Sequence, residues 1–309
     1  MPSSQPKVII LLATRNGAQF LSEQLESYRS QTYSNWELLI SDDGSTDATV
    51  ELVQEFAKSV HQRVTILTGP MQGFWQNFVS LVRNADITGD LFAYSDQDDV
   101  WFREKLARAV EWFRTQSGDV SALYFSRTEL IEGDGTPAGF SPLFTRPPAF
   151  QNALVQNIGG GNTMVFNRAA LMILRATPED AAMVSHDWWT YQVVTGVGGL
   201  AHYDPWPSLK YRQHHGNLVG SNIGIRARLI RMAAFANGRV VMWNDLNLKL
   251  LDRMRESFTS VNAATLDDFA NARRASLLRR LYLIRRSGAY RQSKVENIGL
   301  FVGALFGRL

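Results

Sequence analysis

Leu91-Phe92-Ala93-Tyr94-Ser95-Asp96-Gln97-Asp98-Asp99-Val100-Trp101 joins an apolar run to a cluster of acids. It opens with an apolar run of the kind found in strands covered on both faces, which is the habit of parallel sheets. Three carboxylates then fall within four positions, Asp96 to Asp99. Acids crowded at a strand's carboxyl end repel one another and lose hydration when half buried. A cation relieves both costs. Hard oxygen ligands suit Mg2+ or Mn2+, and Asp96 and Asp98 are the pair best placed to share one ion. An aspartate pair flanking one residue can hold a metal against a diphosphate. The competing reading is an acidic turn that caps the next helix through Asp98 or Asp99.

The same alternation of strand and helix extends upstream. Val8 to Ala13 reads as a strand, broken by Asn16-Gly17, and Phe20, Leu21, Gln24, Leu25 and Tyr28 recur at helical spacing to about Ser30. Trp36 to Ile40 is a second strand, followed by Ser41-Asp42-Asp43-Gly44-Ser45-Thr46-Asp47. There Ser45 or Thr46 is positioned to cap a helix carrying Val50, Val53 and Phe56. Val64–Leu67 reads as a strand, Gly73–Ala85 as a helix, and Phe102–Arg114 as the helix after the acidic run. Strand–helix alternation with short links predicts an α/β fold. Its sheet is mostly parallel, with right-handed crossovers and helices on both faces. Ligands of such sheets sit outside the carboxyl ends of the strands. Thr14-Arg15-Asn16, Ser41–Asp43 and Asp96–Asp99 all fall at those ends, so they converge on one rim, which favours a site over an accidental cap.

Beyond this half the pattern loosens. Val120–Phe125 reads as a strand, and Gly133 to Pro148 as a mobile loop with three glycines and four prolines. Gly159-Gly160-Gly161-Asn162 precedes a strand at Thr163–Phe166; the glycines let a ligand or another part of the chain approach closely, and no phosphate-loop lysine follows. Gly160, Gly161 and Asn162 are candidates for the acceptor side. Ser185-His186-Asp187-Trp188-Trp189 opens a helix. Asp187 suits either the helix dipole or a general base in a partly apolar pocket walled by Trp188 and Trp189. Tyr211-Arg212-Gln213-His214-His215 ends a strand, with His214 either structural or a further metal ligand. After Gly220 the spacing is helical at 225–236, 240–258 and 266–286. The expected organisation is a domain over residues 1–220, with a donor half to about 117 and an acceptor half after it, then a helical extension over 221–309.

Composition bounds the class. The chain has 309 residues, 45% of them hydrophobic, enough for one large domain or a domain with an appendage. It has no cysteine, which excludes disulfides and thiolate metal sites. Val8–Ala13 is too short for a secretory core, and no apolar run approaches the ~18 residues that cross a bilayer, so a cytoplasmic location is expected. Net charge is +3, but Arg273 to Lys294 holds eight basic residues and no acidic one. Leu277, Leu281 and Ile284 form a stripe flanked by Arg279, Arg280, Arg285 and Arg286, ahead of an apolar tail at Ile298–Leu309. That segment suits an anionic surface on the inner face of the plasma membrane, a contact with a second copy, or packing on the domain. Carboxylates on the rim and the lack of an aromatic platform argue against nucleic acid.

Taken in order, Ala13-Thr14-Arg15-Asn16-Gly17, Gln31-Thr32-Tyr33, Asp42-Asp43-Gly44-Ser45-Thr46-Asp47, Ser95–Trp101, His186-Asp187-Trp188 and Tyr211-Arg212-Gln213-His214 resemble family 2 glycosyltransferases of GT-A fold, in particular the bacterial rhamnosyltransferase-like members. The resemblance covers roughly Val8 to Gly220. It implies inverting transfer of a sugar from a nucleotide-diphosphate donor, dTDP-rhamnose by subgroup, to a hydroxyl of a glycan or lipid-linked acceptor in cell-surface polysaccharide synthesis. It assigns Thr14, Arg15, Asn16, Asp42, Asp43, Asp96 and Gln97 to the donor pocket. Asp96, Asp98 and His214 go to a divalent cation, and Asp187 to the catalytic base. Many members carry Tyr where this chain has Arg15, which weakens the nucleobase contact there. A processive synthase is disfavoured by the absence of membrane spans and of Gln-x-x-Arg-Trp. A non-catalytic nucleotide-sugar-binding module, or use of a UDP- or GDP-linked donor, are the remaining alternatives.

Overall fold

The structure is a computed structural model that describes residues 5–214 and 239–309. Its strands are β1 (Val8–Thr14), β2 (Trp36–Asp42), β3 (Val64–Thr68), β4 (Leu91–Ser95), β5 (Val100–Trp101), β6 (Ala122–Glu132), β7 (Pro137–Phe140), β8 (Val165–Asn167) and β9 (Leu200–Gln213). They form one sheet in the order β3-β2-β1-β4-β8-β6-β9-β5, with β7 on β6. β1 pairs in parallel with β2 and β4, β2 with β3, and β6 with β9. β8 runs antiparallel to β4 and β6, β5 to β9, and β7 to β6. The sheet is therefore parallel in its first half and mixed in its second.

Helices α1 (Ala18–Arg29), α2 (Thr49–Ser59) and α4 (Lys105–Arg114) cover one face, and α3 (Phe74–Arg83), α6 (Arg168–Arg175) and α7 (His186–Gly196) the other. The short α5 (Phe150–Ala153) packs with α7. Strand residues alternate between the two cores. Val8, Ile10 and Leu12 join the first, while Ile9 and Leu11 join the second. That is why these strands read as unbroken apolar runs.

Helices α8 (Arg239–Arg253), α9 (Ser260–Arg274), α10 (Leu277–Ser287) and α11 (Lys294–Leu305) follow. Leu250, Phe258, Leu266, Phe269, Leu283 and Ile284 belong to the same core as Phe150, Tyr191 and Val193. The C-terminal helices thus share apolar interior with the sheet's second face.

Four expectations change. The Gly133–Pro148 loop contains β7, which pairs with an extended β6. A 3-10 turn at Gly161–Thr163 precedes β8. The single helix expected over 266–286 breaks at Ala275 and Ser276, both extended. There the Arg280 guanidinium donates to the carbonyls of Ala272, Ala275 and Ala304, adding a side-chain donor at the ends of two helices. Neither Ser45 nor Thr46 caps α2; Asp47 accepts instead from the backbone N–H groups of Thr49 and Ala18, at 3.1 Å each. The helix expected at 225–236 lies outside the described residues, as does the boundary at Gly220.

A shared core makes a test. Phe269 is fully buried, and Phe269→Ala is expected to cost about 3–5 kcal/mol. Urea unfolding followed by tryptophan fluorescence and by far-UV dichroism should move to lower denaturant as one transition. A C-terminal transition separating from an unshifted main one would show the helices to be an independent module.

Candidate active site

The parallel register places the polar strand ends side by side. Thr14 is the partner of Asp42, and Asp42 of Thr68. The Thr14 hydroxyl donates to Asp42 Oδ2 at 2.9 Å, and Ser45 donates to the same carboxylate from its N–H and hydroxyl. Asp43 accepts from the N–H groups of Met71 and Gly73, at 2.5 and 3.1 Å, so it latches the turn between β3 and α3. Buried Asn77 stitches the ends of β1 and β2 by donating to the Ser41 carbonyl at 2.9 Å. Asn16 has a φ of 48°, a conformation Asn tolerates better than most residues. Its side chain accepts from Thr46 N–H at 2.8 Å. Both acids of the Asp42-Asp43 pair are thus spent on holding the rim together, and Arg15 extends into solvent.

Gln97 joins this rim to the acidic loop. Its amide accepts from Arg15 N–H at 2.9 Å and donates to the Arg15 carbonyl at 3.1 Å. A side chain at Gly17 would meet Gln97 Oε1 at 2.3 Å, which explains the glycine.

The three acids have different fates. Asp99 is fully buried; it accepts from Asn162 Nδ2 at 2.5 Å and from Arg212 N–H at 3.4 Å. Burial first, then the charges of Asp98 and Asp96, push its carboxyl well above the usual range. Asp98 lies 2.7 Å from His214 Nε2. The Asp96 carboxylate accepts no hydrogen bond from the described residues, although its main-chain carbonyl accepts from the Ser95 hydroxyl at 3.1 Å. Burial, then the negative charges of Asp98 and Asp187, raise the Asp96 carboxyl to about 8. Neither Asp98 nor Asp99 caps α4, whose N-cap is Glu104. The capping reading is therefore wrong, because β5 intervenes.

Topology brings His214 here. β5 pairs antiparallel with β9, Val100 opposite Lys210, so the residues before Val100 meet those after Lys210. Arg212 donates from Nε to the Asp98 carbonyl at 3.2 Å, from Nη1 to the Gly133 carbonyl at 3.1 Å and from Nη2 to Glu23 at 2.9 Å. Its guanidinium lies 4.7 Å from the Phe20 ring centroid, and the His214 ring lies 5.1 Å from the same ring. α1 thus pins the end of β9 through Phe20 and Glu23.

Lys105 is the positive group beneath the acids, and the sequence reading missed it. It is buried, with Nζ 2.7 Å from the Asn162 carbonyl and 4.5 Å from the Trp101 ring centroid. Burial lowers its amine to about 7, against the pull of Asp99 and Asp96. The available signal was a lysine in the first turn of a helix, where the dipole disfavours a cation.

Asp187 opens α7. Its Oδ1 accepts from the Ser185 hydroxyl and from Trp188 N–H, which leaves Oδ2 for another donor. Its charge reaches both Asp96 and Tyr94, so it shares the acids' field. A side chain at Gly161 would meet His186 Nε2 at 2.4 Å and Asp187 Cβ at 3.4 Å. His186 stacks on Phe78 at 3.8 Å, and burial lowers its imidazole to about 4. Gly159 abuts Phe125 in the same way. The glycines therefore admit the chain's own side chains. Gly160 is exposed, but Asn162 is buried between Asp99 and Lys105. Trp188 and Trp189 are also buried, donating to the Ala153 carbonyl at 2.7 Å and to Thr177 at 2.8 Å. Both tryptophans pack in the interior and do not wall an open pocket.

The donor set suits a hard divalent cation only in part. Asp98 with His214 offers an oxygen and a nitrogen, and Asp96 adds a carboxylate whose charge Lys105 offsets less than burial and the neighbouring acids oppose it. Among the described residues no three His, Asp or Glu side chains form a ready cage. Mg2+ and Mn2+ sites at phosphates are commonly of this kind, with one or two carboxylates and the substrate completing the shell. A cavity of about 590 Å3 between α8 and α9 is lined by Asp245, Lys249, Asp252 and Arg274 and lies apart from these acids.

Proton linkage gives a check on this site. Folded Asp96 stays protonated to about pH 8, whereas an unfolded aspartate ionises near ~3.9. The folded state binds the extra proton between these values, so stability is lost as pH rises through them. Asp96→Asn cannot lose that proton. In chelator-treated protein, the stability of Asp96→Asn relative to the parent should therefore grow from pH 5 to pH 8 in urea titrations. A gap that stays flat would mean that Asp96 is as well solvated folded as unfolded.

Residues 9–174 match the profile of glycosyl transferase family 2. A dTDP-rhamnosyl transferase of Shigella flexneri, RfbG, is 29% identical over 240 residues, which is 73% of this chain and 79% of that protein. The Escherichia coli UDP-Glc:alpha-D-GlcNAc-diphosphoundecaprenol beta-1,3-glucosyltransferase WfgD is 29% identical over 53% of this chain and 61% of its own length. Among solved structures, the mannosyltransferase PcManGT of Pyrobaculum calidifontis, in complex with GDP-Man and Mn2+, superposes with a TM-score of 0.53 at 20% identity, covering 99% of this chain and 87% of that one. S. aureus TarS 1-349 with UDP-GlcNAc gives 0.56 at 15%, covering 97% and 90%. The fold is thus the GT-A glycosyltransferase fold, and the chain belongs to glycosyl transferase family 2.

Proposed function

We propose that this glycosyltransferase moves L-rhamnose from dTDP-rhamnose to a hydroxyl of a glycan or lipid-linked acceptor, with inversion and with Mg2+ or Mn2+, in building a bacterial surface polysaccharide. The observation that carries the chemistry is the pairing of Asp98 with His214 at 2.7 Å beside Asp96, within the field of Asp187. The sugar rests on the named activity of the Shigella relative. A lipid-linked acceptor is supported by the diphosphoundecaprenol in the name of the E. coli relative.

Each residue has a task in this reading. Asp96, Asp98 and His214 would hold the cation, which when bound offsets the charge growing on the departing diphosphate. Asp187 Oδ2 takes the proton of the acceptor hydroxyl as that oxygen attacks the anomeric carbon. The bond from that carbon to the diphosphate breaks on the opposite face, so the configuration inverts without a covalent intermediate. Ser185 and Trp188 N–H hold the base by Oδ1, fixing the direction of Oδ2. Gln97 keeps the nucleotide-side loop, Thr14 to Asn16, in register with the acidic loop. Asp42 and Asp43 organise the rim that faces the nucleotide. Gly160, exposed above Gly161, is the remaining acceptor-side contact.

The test is nucleotide release from dTDP-rhamnose, UDP-glucose, UDP-GlcNAc and GDP-mannose, with Mn2+, Mg2+ or a chelator. The expected result is fastest release from dTDP-rhamnose and loss of turnover on chelation. Asp187→Asn should lower kcat by ~10²–10⁴ with donor KM little changed. Preference for a UDP or GDP sugar would reassign the donor. Undiminished turnover in chelator would remove the metal, and full activity of Asp187→Asn would remove the base.

A further inference from the structure

The C-terminal helices carry a surface that the transfer reaction does not use. α11 presents Val295, Ile298, Val302 and Leu305 to solvent, spaced to lie on one face. Ile298 is 65% exposed. Its inward face is Gly303 and Ala304, so the helix is apolar nearly all round, a pattern normally found where both sides are covered. The adjoining α10 turns Leu278 and Tyr282 outward, four residues apart, with Leu278 81% exposed. Arg280 ties the two helices together through the Ala304 carbonyl.

Of the stripe Leu277, Leu281 and Ile284, which suited either a membrane surface or packing on the domain, only Leu277 is exposed. Ile284 is buried and Leu281 packs against the core, so that face docks on the domain. Two of the four arginines are otherwise engaged: Arg280 with helix carbonyls, and Arg286, though exposed, with Asp268 at 2.6 Å. Arg279, Arg285 and Lys294, on the same two helices, remain exposed. The one acid of α11, Glu296, is held by Ser293 and Arg291.

We propose that the outward faces of α10 and α11 form a docking surface for an anionic lipid bilayer, with Ile298, Val302 and Leu278 entering the acyl boundary and Arg279, Arg285 and Lys294 meeting lipid phosphates. Charge selects this occupant over a second copy of the chain. Apposing two such faces would bring cations against cations with no exposed acid of α10 or α11 between them, whereas acidic headgroups supply the missing sign. Tyr282, with the Arg286 guanidinium 5.4 Å from its ring centroid, has the amphipathic character of side chains at a membrane interface.

The experiment is sedimentation of the full chain with vesicles of phosphatidylcholine alone or mixed equally with phosphatidylglycerol. The parent protein should sediment with the mixed vesicles and remain in solution with the neutral ones. Arg279→Gln/Arg285→Gln should weaken partitioning about thirtyfold, at roughly a decade or less per charge. Ile298→Asp/Val302→Asp should abolish it. All of these sites are exposed, so thermal melting should match the parent in each variant. Donor hydrolysis in the absence of vesicles should be unaffected, which separates this surface from the transfer reaction. The proposal is overturned if the parent ignores acidic vesicles, if it binds neutral ones equally, or if either variant sediments like the parent. It is likewise overturned if analytical ultracentrifugation shows the parent to be a dimer that the aspartate variant splits.

Discussion

Negative charge that the fold concentrates and only partly offsets is the constraint around which this molecule is built. Asp96, Asp98 and Asp99 follow β4, which pairs in parallel with β1; Asp99 is buried, and Asp96 and Asp98 are half-buried. One of them, Asp99, is absorbed as structure: Asn162 and the Arg212 amide bond it, and Lys105 lies below. A second, Asp98, is turned toward His214. The third, Asp96, is left over. A half-buried acid beside two others is held toward its neutral form, even with Lys105 nearby. A divalent cation bound there, as proposed, would favour its ionised state.

The rest of the fold positions this imbalance. Antiparallel pairing of β5 with β9 carries Arg212 and His214 to the acidic loop from more than a hundred residues away. Arg212, buried and bound to Glu23 and to two carbonyls, fixes the backbone from which His214 projects. On the other side, the missing side chain at Gly161 lets His186 and Asp187 close up against the turn that holds Asn162. One turn therefore touches both Asp99 and Asp187: its Asn162 bonds Asp99, and its Gly161 leaves room beside Asp187. In the proposed reading, substitutions at this turn would be felt on the cation side and the acceptor side together.

Much of this was legible in the sequence because it is local. Apolar runs such as Val8–Leu12 alternate between two cores, and the polar clusters after them must then share an edge. The motifs from Ala13 to His214 identify the family from order and spacing. What was illegible depends on side chains meeting across long separations. Nothing near Asp42 or Asp43 says that their carboxylates close loops through Ser45, Met71 and Gly73. Trp188 and Trp189 look the same in sequence whether they wall a pocket or fill a core. The glycines before Asn162 announce close approach without saying of what. The break at Ala275 escaped because Arg280, which satisfies the exposed carbonyls, reads as one more surface charge.

In the proposed reading the protein supplies an incomplete set of cation ligands and the donor's diphosphate completes it. Calorimetric titration of Mn2+ into the protein, alone and with dTDP present, measures this directly, with Asp98→Asn as the comparison. Cooperative binding is predicted: Mn2+ binds weakly alone, each of Mn2+ and dTDP tightens the other by the same factor, and Asp98→Asn loses the coupling. Equal affinity for dTDP with and without Mn2+ would contradict it.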